Sequence, residues 1–190
     1  MSTFERILWV IAAIAVVMKL LHIPLASTMF IISSSTLMML YFFLGWLILS
    51  TPTRKHQVIG ISILAGIALT FLLEGILFKV QAWPMASFNL LVGLSLGSIT
   101  LLLVWLLTRD RHDLKEYKRG ILMRVVLLMT IGVLLYPVSA RSMILFHHRG
   151  EAPAKLELYD RLYSIEDPDE REMLRQRIDS LEHEEMRTRR

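Results

Sequence analysis

Glu74 has the most chemistry to offer in this chain, because it is a carboxylate set inside a long apolar run, Val58–Val80. An ionised carboxylate at membrane depth is costly unless it is paired or hydrated. Two roles fit it: a proton or cation relay, or one half of an ion pair that locks two helices together. Lys79 lies five residues on, about 140° round a helix, so Lys19 from another run is the better-placed partner. Lys19 and Lys79 each stand a few residues before a proline. There an ammonium group would cap the unsatisfied carbonyls at a helix carboxyl end. His22 follows Lys19 by three residues and would titrate near neutral pH, as a proton or metal group or simply as a polar turn residue. His147-His148 has no cysteine or further histidine nearby to complete a metal site. Ser33-Ser34-Ser35-Thr36 reads either as a polar path or as hydroxyls bonding back to the preceding helical turn. No phosphate loop, nucleophile elbow or zinc-protease helix occurs, so the sequence implies no enzyme, no cofactor and no metal.

The elements that must hold these residues are set by composition. Of 190 residues, 54% are hydrophobic and 20% charged, and mean hydropathy is +0.52. That is too apolar for a soluble domain of this length. The excess is uneven. Residues 1–146 carry twelve Lys and Arg against five Asp and Glu, whereas residues 147–190 carry nine against twelve. A membrane domain followed by a charged, water-soluble tail is expected. The basic residues sit in short loops, which excludes a nucleic-acid surface as the reason for the high isoelectric point. Cysteine is absent, and with it disulfides and thiolate chemistry.

The apolar runs Ile7–Leu21, Leu25–Ser50, Val58–Val80, Met85–Thr108 and Ile121–Phe146 predict an all-α, polytopic fold. About 20 residues cross the hydrocarbon layer. The first run reaches that length with its flanks and reads as a retained helix rather than a signal peptide, since Lys19 and His22 occupy the place of a cleavage site. In the fifth, Arg124 and Arg141 bracket a short stretch containing Pro137, so it either spans with snorkelling arginines or re-enters. The organisation expected is a hairpin over 1–50, a basic loop over 51–57, a second hairpin over 58–108, a basic loop over 109–120, a fifth helix over 121–146 and a tail over 147–190. Trp9, Trp46 and Trp105 mark one interface and Trp83 the other. The basic loops place the amino terminus in the cytoplasm of a bacterial inner membrane, and five spans leave the tail outside.

Two segments match at an offset of sixty residues. Lys19-Leu-Leu-His22-Ile-Pro24-Leu-Ala26-Ser27 aligns with Lys79-Val-Gln-Ala82-Trp83-Pro84-Met-Ala86-Ser87. Each joins two apolar runs by a tight turn in which proline starts the second helix. A fainter echo stands at Tyr136-Pro137-Val-Ser139-Ala140; it implies a fifth helix ending near Tyr136 with 138–148 along the interface. The pattern resembles the membrane region of GldL/PorL, the membrane subunits of the Bacteroidetes gliding-motility and type IX secretion motor. Lys19, His22 and Pro24 carry it fully; Lys79, Trp83, Pro84 and Ala86 carry it with Ala82 in place of the histidine. That family has a membrane-embedded glutamate eighteen residues after the lysine, where this chain has Leu37 and Gly97. The resemblance therefore implies the hairpin fold and the bacterial group more than motor function.

Gly93-x-x-x-Gly97 is a close-packing pattern, for use within the chain or in a homo-oligomer. In the tail, Asp167, Pro168 and Glu170 predict a helix start. Leu158, Leu162 and Ile165, then Leu174, Ile178 and Leu181, form two narrow apolar stripes. Helices this short need a partner, whether each other or, through residues 155–185, another membrane or periplasmic protein. The expected function is a non-enzymatic inner-membrane scaffold, assembly component or small sensor, with lipid as its solvent. The alternative is proton or cation translocation by Glu74 with Lys19.

Overall fold

The structure is a computed structural model that describes residues 3–21, 23, 25–49, 59–109, 114–147, 153–165 and 168–188. Among them every regular element is a helix: α1 (Thr3–Leu20), α2 (Ala26–Ile48), α3 (Ile59–Val80), α4 (Ala86–Thr108), α5 (Lys115–Leu135), α6 (Ala140–His147), α7 (Pro153–Ser164) and α8 (Pro168–Thr188). The chain divides into two compact units, Met1–Val138 and Ser139–Arg190.

In the first unit, three helices among the described residues are long and apolar enough to cross a membrane: Ala26–Gly45, Ile59–Val80 and Ala86–Leu107. Hydrocarbon offers no partner for backbone N–H and C=O groups, so runs of this composition close all their hydrogen bonds within a helix. α3 is the centre of the unit, with α2, α4 and α5 against it, while α1 lies on α2. The sequence of α3 explains that position. It is apolar all round and rich in small residues, burying Ala65, Gly66, Ala68, Leu69, Leu72, Gly75 and Leu77. A Cβ on Gly66 would stand 2.6 Å from the Tyr41 carbonyl oxygen, and one on Gly75 would stand 2.7 Å from the Leu90 backbone. Such backbone approach is how membrane helices gain dispersion contact when no water is left to expel. Large apolar side chains such as Val10, Phe43, Leu102 and Leu134 remain exposed on the outside, as suits a bundle solvated by lipid.

The turns into α2 and α4 share a backbone course at positions sixty apart. Leu25 and Met85 both adopt left-handed geometry, at φ 70° and 61°. The Ile23 and Trp83 N–H groups donate to the Met18 and Phe78 carbonyls at 3.0 and 2.8 Å. Ala26 and Ala86 then open their helices with both side chains buried. His22 and Pro24 lie outside the described residues.

The fifth helix differs from the expectation of 121–146. It starts at Lys115, within the basic loop, because Lys115, Glu116, Lys118 and Arg119 can stay helical with their heads in water. It ends at Leu135, beside Tyr136 where the proline echo placed its end, because Pro137 removes a donor and disfavours helix at Tyr136. α6 then begins at Ala140.

The second unit is held by its own contacts, α6 on α7 and α7 on α8. Arg141 forms a two-pronged ion pair with Asp160, through Nε and Nη2 at 2.7 Å each. It is therefore bonded to a carboxylate and not simply the snorkelling flank of a span. Ile178 is buried and Leu158, Leu162, Ile165 and Leu174 are half-buried where α7 and α8 pack together. Asp167 and the Leu181 side chain lie outside the described residues.

Candidate functional site

The most concentrated polar chemistry of the first unit lies where α1, α2 and α5 meet, in a grouping that sequence reasoning did not anticipate. Glu5, two residues into α1, is fully buried. Its two oxygens accept from Arg124 of α5, Oε1 from Nε at 2.6 Å and Oε2 from Nη2 at 2.8 Å. Arg124 is 7% exposed, and its Nη1 donates to the Gly120 carbonyl at 2.7 Å. The fully buried Tyr41 of α2 donates its hydroxyl to Glu5 Oε1 at 2.6 Å and accepts from Trp9 Nε1 at 3.1 Å. A fork-on-fork pair with this many supporting donors can offset the cost of taking two charges out of water. Nearby in the same bundle, Ser62 and Tyr117 share a buried hydroxyl–hydroxyl bond of 2.8 Å.

Arg124 was expected to flank a short fifth run that either spans with snorkelling arginines or re-enters, and Glu5 was given no role. The structure instead pairs the two inside the bundle, so Glu74 is joined by a second acidic side chain on these helices. Trp9 likewise acts as a donor in the network besides sitting near a helix end. The signal available in the sequence was a carboxylate and an arginine at the same-side ends of two odd-numbered runs. Nothing in spacing shows that such groups meet.

The two lysines act at carboxyl ends, but of helices other than their own. Lys19 Nζ donates to the carbonyl of Val80, the last residue of α3, at 3.1 Å and to Gln81 Oε1 at 2.7 Å. Gln81 Nε2 in turn donates to the Ser27 carbonyl at 3.4 Å. The buried Lys79 donates to Ser87 Oγ at 3.0 Å and to the Tyr136 carbonyl, just past α5, at 3.3 Å. Each ammonium thereby meets orphaned carbonyls and the negative end of a helix dipole.

Glu74 does not form the expected pair with Lys19 or Lys79. Both ammonium groups are drawn to helix ends, and Glu74, half-buried on α3, has no hydrogen bond or ion pair among the described residues. Ser33 bonds back to the Met29 carbonyl at 2.8 Å and Thr36 to that of Ile32 at 2.7 Å, whereas the buried Ser34 has no hydrogen-bond partner among the described residues. Trp83 stacks edge-on against Phe78 at 5.3 Å beside Pro84. Gly93 faces the α3 backbone, where a Cβ would come within 2.7 Å of Leu72 N. At Gly97 a Cβ would instead stand 2.8 Å from the Met129 sulfur of α5. Trp105 is exposed, with the Arg109 guanidinium 5.4 Å from its ring centre. The side chains of Trp46 and His147, and all of His148, lie outside the described residues. No group of three or more histidine or acidic side chains suited to a metal gathers among the described residues.

No family model, curated protein or solved structure matches this chain. The resemblance to GldL/PorL rests on the hairpin residues alone.

Proposed function

We propose that this chain is a non-enzymatic inner-membrane scaffold, in which two similar hairpins and a fifth helix form a fixed platform and residues 139–190 engage a partner protein. The observation that carries this reading is the use of the charges inside the bundle. Glu5, Arg124, Lys19 and Lys79 each fasten one helix to another. Five membrane helices fit it, since the charges of α1 and α5 neutralise each other inside the bundle instead of facing lipid. The matching turn geometry at Leu25 and Met85 supports descent of the hairpins from one repeated unit. The basic loops favour a cytoplasmic amino terminus. The hairpin residues Lys19 and Pro24, with Lys79, Trp83, Pro84 and Ala86, favour a setting beside the gliding-motility or type IX secretion apparatus of Bacteroidetes.

The test is the size of the native assembly in detergent extracts. The scaffold reading expects the full chain in a complex larger than itself, and a chain ending at Val138 expects to run at the size of its own oligomer. Identical sizes would refute the role given to the tail. A second reading, proton or cation translocation, is favoured by one observation: Glu74 has no partner among the described residues, and it would then work without Lys19. Proton flux into proteoliposomes that disappears in Glu74→Gln would replace the scaffold reading with this one.

A further inference from the structure

α1, α2, α3 and α5 enclose a cleft of about 490 Å³ whose lining is almost wholly apolar, including Ala12, Ala13, Phe30, Leu73, Ile76 and Ile131. Helix interiors normally close to crystal density, with few voids larger than a water molecule. Here the small Ala12 and Ala13 of α1 leave space unfilled along one wall. Ser34, 2% exposed, lines the cleft and has no hydrogen-bond partner among the described residues, unlike its neighbours Ser33 and Thr36. A lone hydroxyl in such a wall is too little to hold water, which needs two to four polar partners. One end of the cleft is closed by Trp9, pinned to Tyr41. The other end reaches Val80, whose carbonyl binds Lys19. Lys19 is half-buried and, among the described residues, engages two of its three N–H donors, on Val80 and Gln81.

We propose that this cleft holds one acyl chain of an anionic phospholipid, with the headgroup phosphate on the remaining N–H of Lys19. A bundle in a bilayer is solvated by hydrocarbon chains, so a dry apolar space open to that solvent fills with one of them. The half-free ammonium at the mouth selects the charge of the headgroup. The inference rests on the membrane reading of α1–α5, and it goes beyond the scaffold role by giving the platform a structural lipid.

The test follows the fluorescence of Trp9, with Trp46, Trp83 and Trp105 replaced by phenylalanine, in phosphatidylcholine bilayers. The bilayers are doped with either phosphatidylglycerol or phosphatidylcholine brominated on the acyl chain. Quenching by the anionic lipid is expected at about one fifth of the concentration needed for the neutral one, the size of effect one lysine exerts at an anionic lipid surface. Lys19→Met should abolish that preference. Ser34→Phe breaks no hydrogen bond and fills the cleft, so it should remove preferential quenching; Ala13→Leu fills the same space from α1, should Ser34→Phe fail to fold. Equal quenching by both lipids overturns the proposal, as does a preference that survives Lys19→Met or cleft filling. A control chain retaining only Trp105, an exposed ring, should be quenched equally by both lipids. If neither lipid quenches it, the membrane reading itself fails.

Discussion

Substitution Glu5→Leu should be among the most damaging single changes in this protein. It strips the Arg124 guanidinium, 7% exposed, of both carboxylate bonds and leaves the fully buried Tyr41 hydroxyl without its acceptor. Leaving one buried charge uncompensated costs about 3–5 kcal/mol, and the orphaned hydroxyl adds about 1 kcal/mol. The pair can be tested apart from its surroundings. In Glu5→Leu with Arg124→Leu no charge remains buried, and similar apolar volume fills the site. That double variant should recover most of the loss, leaving about 1–2 kcal/mol from Tyr41 and imperfect packing. Tyr41→Phe alone removes one donor to a still-paired carboxylate and should cost about 1–2 kcal/mol. The assay is reversible unfolding of the protein in mixed micelles, read by helical circular dichroism as the denaturing detergent fraction rises. A double-mutant cycle gives the coupling, expected at about 2 kcal/mol or more. If the double variant is as unstable as the sum of the singles, Glu5 and Arg124 do not act as a pair. The account of α1 and α5 as helices fastened by mutual neutralisation would then be wrong.

The other expectations are smaller or more local. Gly93→Ala should lower stability by about 1–3 kcal/mol, because the new Cβ meets the α3 backbone at Leu72. Gly97→Ala should cost clearly less in the same unfolding assay, since only the flexible Met129 tip must move. Arg141→Ala should shift the unfolding midpoint hardly at all, as the Arg141–Asp160 pair is exposed on both sides and such pairs contribute about 0–1 kcal/mol. For topology, Thr53→Cys should be shielded from an impermeant thiol reagent in intact spheroplasts and Ser180→Cys should react. Labelling of both or neither would remove the five-span arrangement.

Patterns carried by neighbouring residues could be read without any coordinates. The apolar runs specify helices by themselves, since a backbone in hydrocarbon must bond within its own segment. The turn at Pro84 and the stop at Pro137 follow from what proline does to its own N–H and to the residue before it. The lysines could be assigned to helix ends from their position before a proline. Which end each would reach was beyond sequence, for Lys19 caps α3 and Lys79 the end of α5, each across a gap in the chain. Glu5 and Arg124 lie 119 positions apart, and each alone resembles an ordinary charged flank. Only their meeting beneath Tyr41 turns them into a buried pair. The reverse holds for Glu74, whose charge inside an apolar run predicts a partner that packing places elsewhere. Local structure here depends on residues within a turn or two of one another. The pairing of isolated charges depends on which helix faces lie together, and those faces are decided by close approaches such as Gly66 on Tyr41 and Gly75 on Leu90, contacts that leave no periodic trace in the sequence.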